Sequence, residues 1–289
     1  SDVYKRQLFT PTTVIETSKL FAQYVSDHRD DLEVHWLTDA SNNSPATASI
    51  VFVQLGSFAA AKTAILQLAK SSLALELIVV NNSPELFSET FHILNRFANI
   101  KPKLRICIVN CSVTLGFSAG CNIGAANATG KCILFHNNDL FAESYSDYEL
   151  LISRTLEDPN SIHSAFQYFT DGTLMQEGLT ATRITTAKPS SFQFYNGFSV
   201  GRNQTRAEII GCSGSLMAIS TPLFRHLGGF SEEIVYAHFE DLDLCLRARQ
   251  DGIPIRIWDD ITFFHAEGTG SAPPYHLSGT TSHINRLLF

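Results

Sequence analysis

Three carboxylates lie within four residues in the segment Glu240-Asp241-Leu242-Asp243, and an amphipathic run continues from there to Gly252. Acidic side chains are favoured at a helix N-terminus by the helix dipole, and a glycine just past the last turn commonly ends a helix. The pattern therefore predicts a helix whose first turn carries Glu240 and Asp241 near the surface. A well-started surface helix without any chemistry explains this stretch equally well.

A second acidic site favours a catalytic role for these carboxylates over a surface helix without function. The segment His136-Asn137-Asn138-Asp139 stands at the end of an apolar run about a hundred residues upstream. A site that combines a metal ion with a catalytic base needs side chains from distant segments of this kind. The arginines of the later segment, Arg247 and Arg249, lie about two turns beyond the acids and are expected to be charges on the helix surface.

The composition limits the classes of function. The 289 residues are 44% hydrophobic and 17% charged, which is enough apolar material for a sizeable core. The net charge of −7 gives no basic field for nucleic acid, which we exclude as a partner. Six cysteines without a CxxC pair predict reduced, buried thiols. The N-terminus has no signal-peptide pattern, so a cytoplasmic location is expected. Residues 1–7 are left out of the fold prediction.

Strands alternate with helices along the chain. Continuous apolar strands are predicted at 50–55, 75–80, 104–109 and 132–136, with helical segments between them. Such units predict an α/β fold with a mostly parallel, Rossmann-like sheet covered by helices on both faces. A helix at 14–28, a strand at 33–37 and a polar linker form an N-terminal extension over 1–47, followed by one domain over 48–289.

Polar side chains gather at one edge of this predicted sheet. Ligands of parallel sheets bind beyond the carboxyl ends of the strands. Here those ends carry Asn-Asn-Ser at 81–83, a turn near Asn110, and Asn-Asn-Asp at 137–139. Three such ends with little positive charge suit a neutral sugar or base together with a cation.

Glycines recur every fourth residue at Gly116, Gly120 and Gly124. This is not the G-x-G-x-x-G spacing of a dinucleotide site, and the chain has no phosphate-loop motif. The spacing lets one face of a helix approach a strand or a ligand closely. Tight packing of the helix on the sheet explains it without a ligand.

Four motifs, in this order and at this spacing, resemble those of the family 2 glycosyltransferases, in particular their rhamnosyltransferase-like branch. The resemblance covers residues 48–272 and implies a GT-A fold, a nucleotide-diphosphate sugar donor, a divalent cation and inverting transfer. The motifs are GFSAGCNIGAANATG at 116–130 running into ILFHNND at 133–139, GCSGSLMAI at 211–219 with GGF at 228–230, FEDLDLCLR at 239–247, and HAEG at 265–268.

The resemblance also assigns roles to residues. Asn81 stands where the family usually has an aspartate that reads the nucleobase, so an amide replaces a charge. Asp139 and His265 match the metal positions, and one carboxylate with an imidazole suits Mn²⁺ or Mg²⁺ when phosphates and waters complete the shell. The residues expected to bind the donor are Asn81, Asn82, Gly116, Gly120, Asn122, Asn137 and Asn138.

The resemblance makes Asp241 the catalytic base, which a helix N-terminus is expected to keep ionised. Glu240 is expected to orient the acceptor or the base. The acceptor would be a glycan, a lipid-linked sugar or another hydroxyl, as in polysaccharide biosynthesis, and peripheral association with the inner membrane surface fits such a role.

Two other classes remain open. A non-catalytic module that binds nucleotide sugars is favoured if Asn81 and Asn137 mark a decayed site. A nucleotidyltransferase can share this kind of sheet, but it normally needs a basic, glycine-rich loop after its first strand. The corresponding segment here, QLGSF at 54–58, has no basic residue. Lack of turnover with intact donor binding would identify the binding module.

Overall fold

The computed structural model describes residues 11–38, 45–100, 103–184, 191–196, 209–266, 284–285 and 288. The helices are α1 (Pro11–His28), α2 (Ala61–Leu68), α3 (Phe87–Ile100), α4 (Phe117–Ala126), α5 (Tyr145–Glu157), α6 (Thr221–His226) and α7 (Glu240–Gln250). The main strands are β1 (Leu32–Trp36), β2 (Ala48–Gln54), β3 (Leu75–Asn81), β4 (Arg105–Cys111), β5 (Cys132–His136), β6 (Leu140–Ala142), β7 (Ile162–Phe169), β8 (Leu174–Gln176), β9 (Leu179–Ile184), β10 (Ser191–Asn196), β11 (Ile209–Gly211), β12 (Leu216–Ser220) and β13 (Ile255–His265).

Four parallel strands form the centre of the molecule, in the order β4-β3-β2-β5. Every residue of β2, β3 and β5 is buried. Helices cover both faces of this core, which is why its strands read as continuous apolar runs in the sequence. The predicted α/β fold with a large, mostly parallel sheet flanked by helices is confirmed.

Six further strands extend the core to a ten-stranded sheet, all by antiparallel pairing except β13, which runs parallel to β7. On one side β1, from the N-terminal part of the chain, pairs antiparallel with β4 and forms the edge of the sheet. On the other side the order continues β12-β7-β13-β6, with β8 attached to β7. A separate sheet of three strands has the order β10-β9-β11.

Successive side chains of the central strands pack into two hydrophobic cores, one on each face of the sheet. In β2, Phe52 packs in a cluster with Ile65 of α2 and Leu94 of α3. Its neighbours Val51 and Val53 belong to a second cluster, on the opposite face. The six cysteines are all buried and free, as expected for reduced thiols.

Most predicted elements of the first 136 residues are found within a few positions. The strand at 132–136 has the predicted bounds, and the one at 75–80 ends one residue later, at Asn81. The segments 1–10 and 39–44, which include part of the predicted linker, lie outside the described residues. None of the helices in the described ranges has the length and apolar character needed to cross a membrane.

Candidate active site

The two predicted metal ligands meet in a buried position. Asp139 lies in the turn between β5 and β6, and His265 is the last residue of β13, where it pairs with Leu140. The Asp139 Oδ1 and His265 Nε2 atoms are 2.9 Å apart, although 126 positions separate the residues. Beside them, buried Asn138 donates a hydrogen bond from Nδ2 to the Ser57 carbonyl at 3.3 Å. The antiparallel pairing of β6 with β13 therefore brings Asp139 and His265 into contact.

The chemistry of this pair suits a divalent cation of the first transition row. Carboxylate oxygen and imidazole nitrogen together favour Mn²⁺ over Mg²⁺. His265 Nδ1 is buried and has no hydrogen-bond partner within the described part of the chain. In that same part, three or more potential metal ligands do not gather at any point, so phosphates and waters would have to complete the coordination.

The predicted acidic helix start is present. Helix α7 begins at Glu240, directly after Phe239, whose φ of 79° is left-handed. Asp241 Oδ2 accepts a hydrogen bond from the Gly214 N–H at 3.0 Å, and Oδ1 accepts one from the Leu242 N–H at 2.8 Å. Glu240 is buried, and its Oε2 has no hydrogen-bond partner among the residues described. Asp241 is thus held by amides, whereas Glu240 is only partly satisfied.

The electrostatics differ from the sequence-based expectation of an ionised Asp241. Burial raises the pKa of Asp241 above its ordinary value, against the opposing effect of the Gly214 and Leu242 amides. Burial also raises the pKa of Glu240 well above its ordinary value, and the neighbouring Asp241 charge adds to that rise. The helix N-terminus therefore does not outweigh the effect of burial on the pKa of either carboxyl.

A short loop joins the acid pair to the metal pair. Gly214, which donates to Asp241, is followed by Ser215, whose carbonyl accepts a hydrogen bond from the Asn137 N–H at 2.9 Å. Asn137 lies two residues before Asp139. A Cβ atom at Gly214 would lie 3.5 Å from Asp241 Cβ and 3.1 Å from a Phe117 ring carbon, so this loop packs closely on both. The role of GCSGS in linking the two pairs could not be predicted from the sequence, because Gly214 and Ser215 make these contacts with backbone atoms.

Asn81 presents an unused acceptor at the end of β3. Its Nδ2 donates to the Ser83 carbonyl at 3.0 Å and to Asn110 Oδ1 at 2.8 Å. A backbone carbonyl can only accept, so it fixes the orientation of the Asn81 amide. The Asn81 Oδ1 atom is then left buried, with no partner in the described ranges.

Asn82 and Gly116 hold the start of α4 against the sheet. The Asn82 side chain accepts from the Leu115 N–H at 2.7 Å and donates to the Gly116 carbonyl at 3.0 Å. Gly116 has a φ of 85°, and a Cβ there would lie 2.7 Å from the Tyr236 carbonyl oxygen. Only glycine fits this close approach in a left-handed conformation.

Gly120 and Asn122 lie on different faces of α4. A Cβ on Gly120 would lie 2.6 Å from a methyl carbon of Val53, so this glycine lets the helix pack tightly on β2. Asn122 instead binds the loop after α6. It donates to the Phe230 carbonyl at 2.9 Å and to Glu232 Oε1 at 2.8 Å, and it accepts from the Phe230 N–H at 3.0 Å. Asn122 is thus not brought to the polar edge that holds Asn81.

Arg247 is not the plain surface charge expected from the sequence. It forms an ion pair of 2.7 Å with Asp243, one turn earlier in α7. It also donates to the Gly229 carbonyl at 2.8 Å and to the Leu227 carbonyl. Arg247 therefore ties the loop after α6 to the acidic helix.

Several solved structures of glycosyltransferases have a similar fold. GalNAc-T7 with UDP, GalNAc and Mn²⁺ is 15% identical, with a TM-score of 0.62 over 86% of this chain and 49% of that one. The mannosyltransferase PcManGT from Pyrobaculum calidifontis, with GDP-Man and Mn²⁺, is 12% identical, with a TM-score of 0.57 over 94% and 68%. S. aureus TarS 1–349 with UDP-GlcNAc is 17% identical, with a TM-score of 0.54 over 79% and 61%. The chain spans about half the length of the GalNAc-T7 chain.

At these identities the similarity establishes the GT-A fold alone. Comparison with curated protein sequences gives no match. The family model of glycosyl transferase family 2 matches residues 58–228, which is more than half of the chain and includes β3 to β5, Asp139 and the Gly214 loop. The chain therefore belongs to glycosyl transferase family 2.

Proposed function

We propose that the protein is an inverting glycosyltransferase that moves a sugar from a nucleoside-diphosphate sugar to an acceptor hydroxyl with the help of a divalent cation. One observation carries this proposal. The Gly214–Ser215 loop binds Asp241 with one residue and the segment of Asp139 with the next. The proposed base and the segment that carries one proposed cation ligand are therefore bound to the same short loop.

Asp139 and His265 are the residues that would hold the cation. Their carboxylate and imidazole fit Mn²⁺, and two of the similar structures contain Mn²⁺ with a nucleotide or nucleotide sugar. When bound, a divalent cation supplies positive charge to the departing diphosphate. Asn137 and Asn138 directly precede Asp139 and are proposed to contact the donor. Asn82, Gly116, Gly120 and Asn122 are proposed to act on the donor site chiefly by fixing α4.

Asp241 is proposed to take the proton of the acceptor. The acceptor oxygen forms a bond to the anomeric carbon while the bond from that carbon to the diphosphate oxygen breaks. The electron pair leaves with the diphosphate, and the hydroxyl proton passes to Asp241. A carboxylate with a raised pKa is a stronger base, so its burial favours this transfer. Glu240 is proposed to orient the acceptor or Asp241.

The free oxygen of Asn81 is proposed to receive a ring N–H of the nucleobase. Uracil and thymine have such a group at N3, and guanine has one at N1. The Watson–Crick edges of adenine and cytosine expose no ring N–H. A donor that offers a ring N–H to Asn81 is a uridine, thymidine or guanosine diphosphate sugar.

The remaining details rest on the sequence resemblance. We propose transfer of a hexosyl or rhamnosyl group in polysaccharide biosynthesis, as in the rhamnosyltransferase-like branch, to a glycan, lipid-linked or other hydroxyl acceptor. We propose a cytoplasmic location with peripheral association at the inner membrane surface. We also propose residues 1–47 as an extension of a catalytic domain over 48–289, with β1 of that extension at the edge of the domain's sheet.

A donor screen tests the proposal. UDP-, dTDP- and GDP-sugars are incubated with the protein, with and without Mn²⁺, and release of the nucleoside diphosphate is followed. Mn²⁺-dependent release from at least one of them is expected, with inverted anomeric configuration of the product by proton NMR. Donor binding without any turnover would instead identify a binding module, and retained configuration would contradict the inverting mechanism.

A further inference from the structure

The loop before α7 has an unusual backbone. We call residues 232–239 the acid loop, because they lead directly into Glu240 and Asp241. Three of its residues are left-handed without being glycine: Tyr236 with φ 65°, His238 with φ 76° and Phe239 with φ 79°. Such conformations persist only where the surrounding structure holds them. The contacts that hold the acid loop therefore determine where the first turn of α7 begins.

Asn285 provides a large share of those contacts. Its side chain is fully buried. Oδ1 accepts a hydrogen bond from the Val235 N–H at 2.9 Å. Nδ2 donates to the carbonyls of Val235 at 3.0 Å, Ala237 at 2.8 Å and His238 at 3.0 Å. One primary amide thus contacts four backbone groups of the acid loop, and the two hydrogens on Nδ2 are shared among three carbonyls.

The acid loop forms hydrogen bonds to Asn285 on one side and to the start of α4 on the other. On the α4 side, the Phe117 N–H donates to the Tyr236 carbonyl at 2.6 Å. The loop then passes to Phe239, whose carbonyl accepts the first helical hydrogen bond of α7, from the Asp243 N–H at 2.9 Å. A displacement at His238 would therefore move the helix start that carries Asp241.

Apolar packing anchors Asn285 itself. Its neighbour Ile284 is buried in a small cluster with Val14 of α1 and Val235 of the acid loop. In addition, Ser18 of α1 donates to the Glu233 carbonyl at 2.6 Å. Segments from both ends of the described chain therefore converge on the acid loop, whereas the turn after β5 and the end of β13 supply the metal pair.

We propose that Asn285 is a positioning residue for glycosyl transfer, which holds the acid loop so that Asp241 meets the acceptor hydroxyl. The inference rests on the proposed role of Asp241 as the base. It adds that the position of the Asp241 carboxylate depends on the Asn285 side-chain amide, about 45 residues further along the chain. Donor binding is expected to depend on it much less than transfer does, because Asn81, Asp139 and His265 are carried by other elements.

The test compares Asn285→Asp with the unaltered protein. Aspartate has the same shape and keeps the acceptor for Val235, but it places an oxygen against three carbonyls. We expect kcat to fall by roughly 10- to 10²-fold, as for a misplaced catalytic group, while affinity for UDP, dTDP or GDP in Mn²⁺ stays within about twofold. Amide hydrogen exchange over 235–243 should become faster. Asn99→Asp, on an exposed helical position of α3, is the matched control and should change none of these values.

Each outcome decides the matter. Unchanged exchange over 235–243, or faster exchange with a normal kcat, would overturn the inference. An equal loss of nucleotide affinity and kcat would also overturn it, because it would show general structural damage. Absence of turnover in the unaltered protein would contradict the proposed function instead, while the exchange measurement would still decide whether Asn285 holds the loop. If Asn285→Asp does not fold, Asn285→Ala, which removes the bonds without adding a charge, gives the same comparison.

Discussion

The Gly214 N–H donates to Asp241 Oδ2 over 3.0 Å, so the carboxyl proposed as the base is aligned by a backbone amide of another segment. The Leu242 N–H binds the second oxygen at 2.8 Å. With both oxygens held, the carboxyl has little rotational freedom, yet the residue stays half-buried and thus open to a ligand on one side. Such preorganisation favours proton transfer along one fixed direction.

Replacement of Asp241 by asparagine should remove the base while preserving its shape. We expect transfer to fall by roughly 10²–10⁴-fold, the range for loss of general-base help, with donor affinity unchanged. Glu240→Gln should cost less, chiefly in the KM for the acceptor. Steady-state kinetics and nucleotide titration separate the two effects.

Asp243→Asn provides the control for Asp241→Asn, because it removes a charge from the same helical turn but affects only the ion pair with Arg247. It should leave kcat within about threefold, since exposed and half-exposed ion pairs contribute little. Near-normal transfer by Asp241→Asn together with an inactive Glu240→Gln would move the base to Glu240.

Removal of the proposed cation ligands should abolish cation-dependent donor binding. Asp139→Ala deletes the carboxylate and leaves the buried His265 imidazole without its partner at 2.9 Å. We expect nucleotide affinity measured by calorimetry to become independent of Mn²⁺, and EDTA should have the same effect on the unaltered protein. Full activity in EDTA would remove the metal from the mechanism.

The nucleobase proposal predicts a modest loss at Asn81. Asn81→Ala removes the free Oδ1 and should weaken donor binding by about 1 kcal/mol, the usual contribution of one neutral hydrogen bond. That corresponds to about a fivefold rise in Kd for UDP, dTDP or GDP. Asn110→Ala is the matched control, because it removes one acceptor of the Asn81 Nδ2 group but leaves the Asn81 Oδ1 atom and the Ser83 carbonyl that fixes its orientation. Equal nucleotide affinities of Asn81→Ala and the unaltered protein would place Asn81 outside the base site.

The sequence predicted the central sheet well because its strands are buried on both faces. A strand such as β5 has no solvent-facing position, so its apolar run is continuous and ends at a clear polar boundary, His136. The same boundaries placed Asn81 and Asp139 at one edge. The meeting of Asp139 with His265 could be expected only from the family resemblance, since 126 positions separate them and no local pattern connects them.

Contacts made by backbone atoms left no trace in the sequence. Gly214 acts through its N–H, and the acid loop is bound through its carbonyls, so neither Gly214 nor Asn285 could be given a role from residue type. Asn122 shows a different difficulty. Its position in the glycine-rich helix was readable, but a single residue does not reveal which side of the helix it occupies, and the structure directs it toward Phe230 and Glu232.

The raised pKa of Glu240 predicts a stability gain when its charge is removed. A carboxyl with a higher pKa in the folded state binds its proton more tightly there than in the unfolded chain. Its contribution to stability is therefore fully present below the unfolded pKa and is lost as the pH rises through the folded pKa. Glu240→Gln cannot ionise and avoids this loss, as is common where a functional site is strained.

We therefore expect the melting temperature of Glu240→Gln to exceed that of the unaltered protein at neutral pH, and the difference to shrink as the pH is lowered toward the ordinary range of a glutamate. Thermal unfolding followed by circular dichroism between about pH 4 and about pH 8, from just below the ordinary glutamate pKa of about 4.3 to well above it, measures this difference. Glu149→Gln is the control with the opposite sign. Its pKa is lowered by hydrogen bonds from Ser72 and Ser71, so its loss should destabilise the protein slightly at neutral pH and not at acidic pH. A melting temperature of Glu240→Gln that lies below that of the unaltered protein at neutral pH would show that Glu240 is stabilised as a carboxylate, and it would remove the desolvated acid pair from this account.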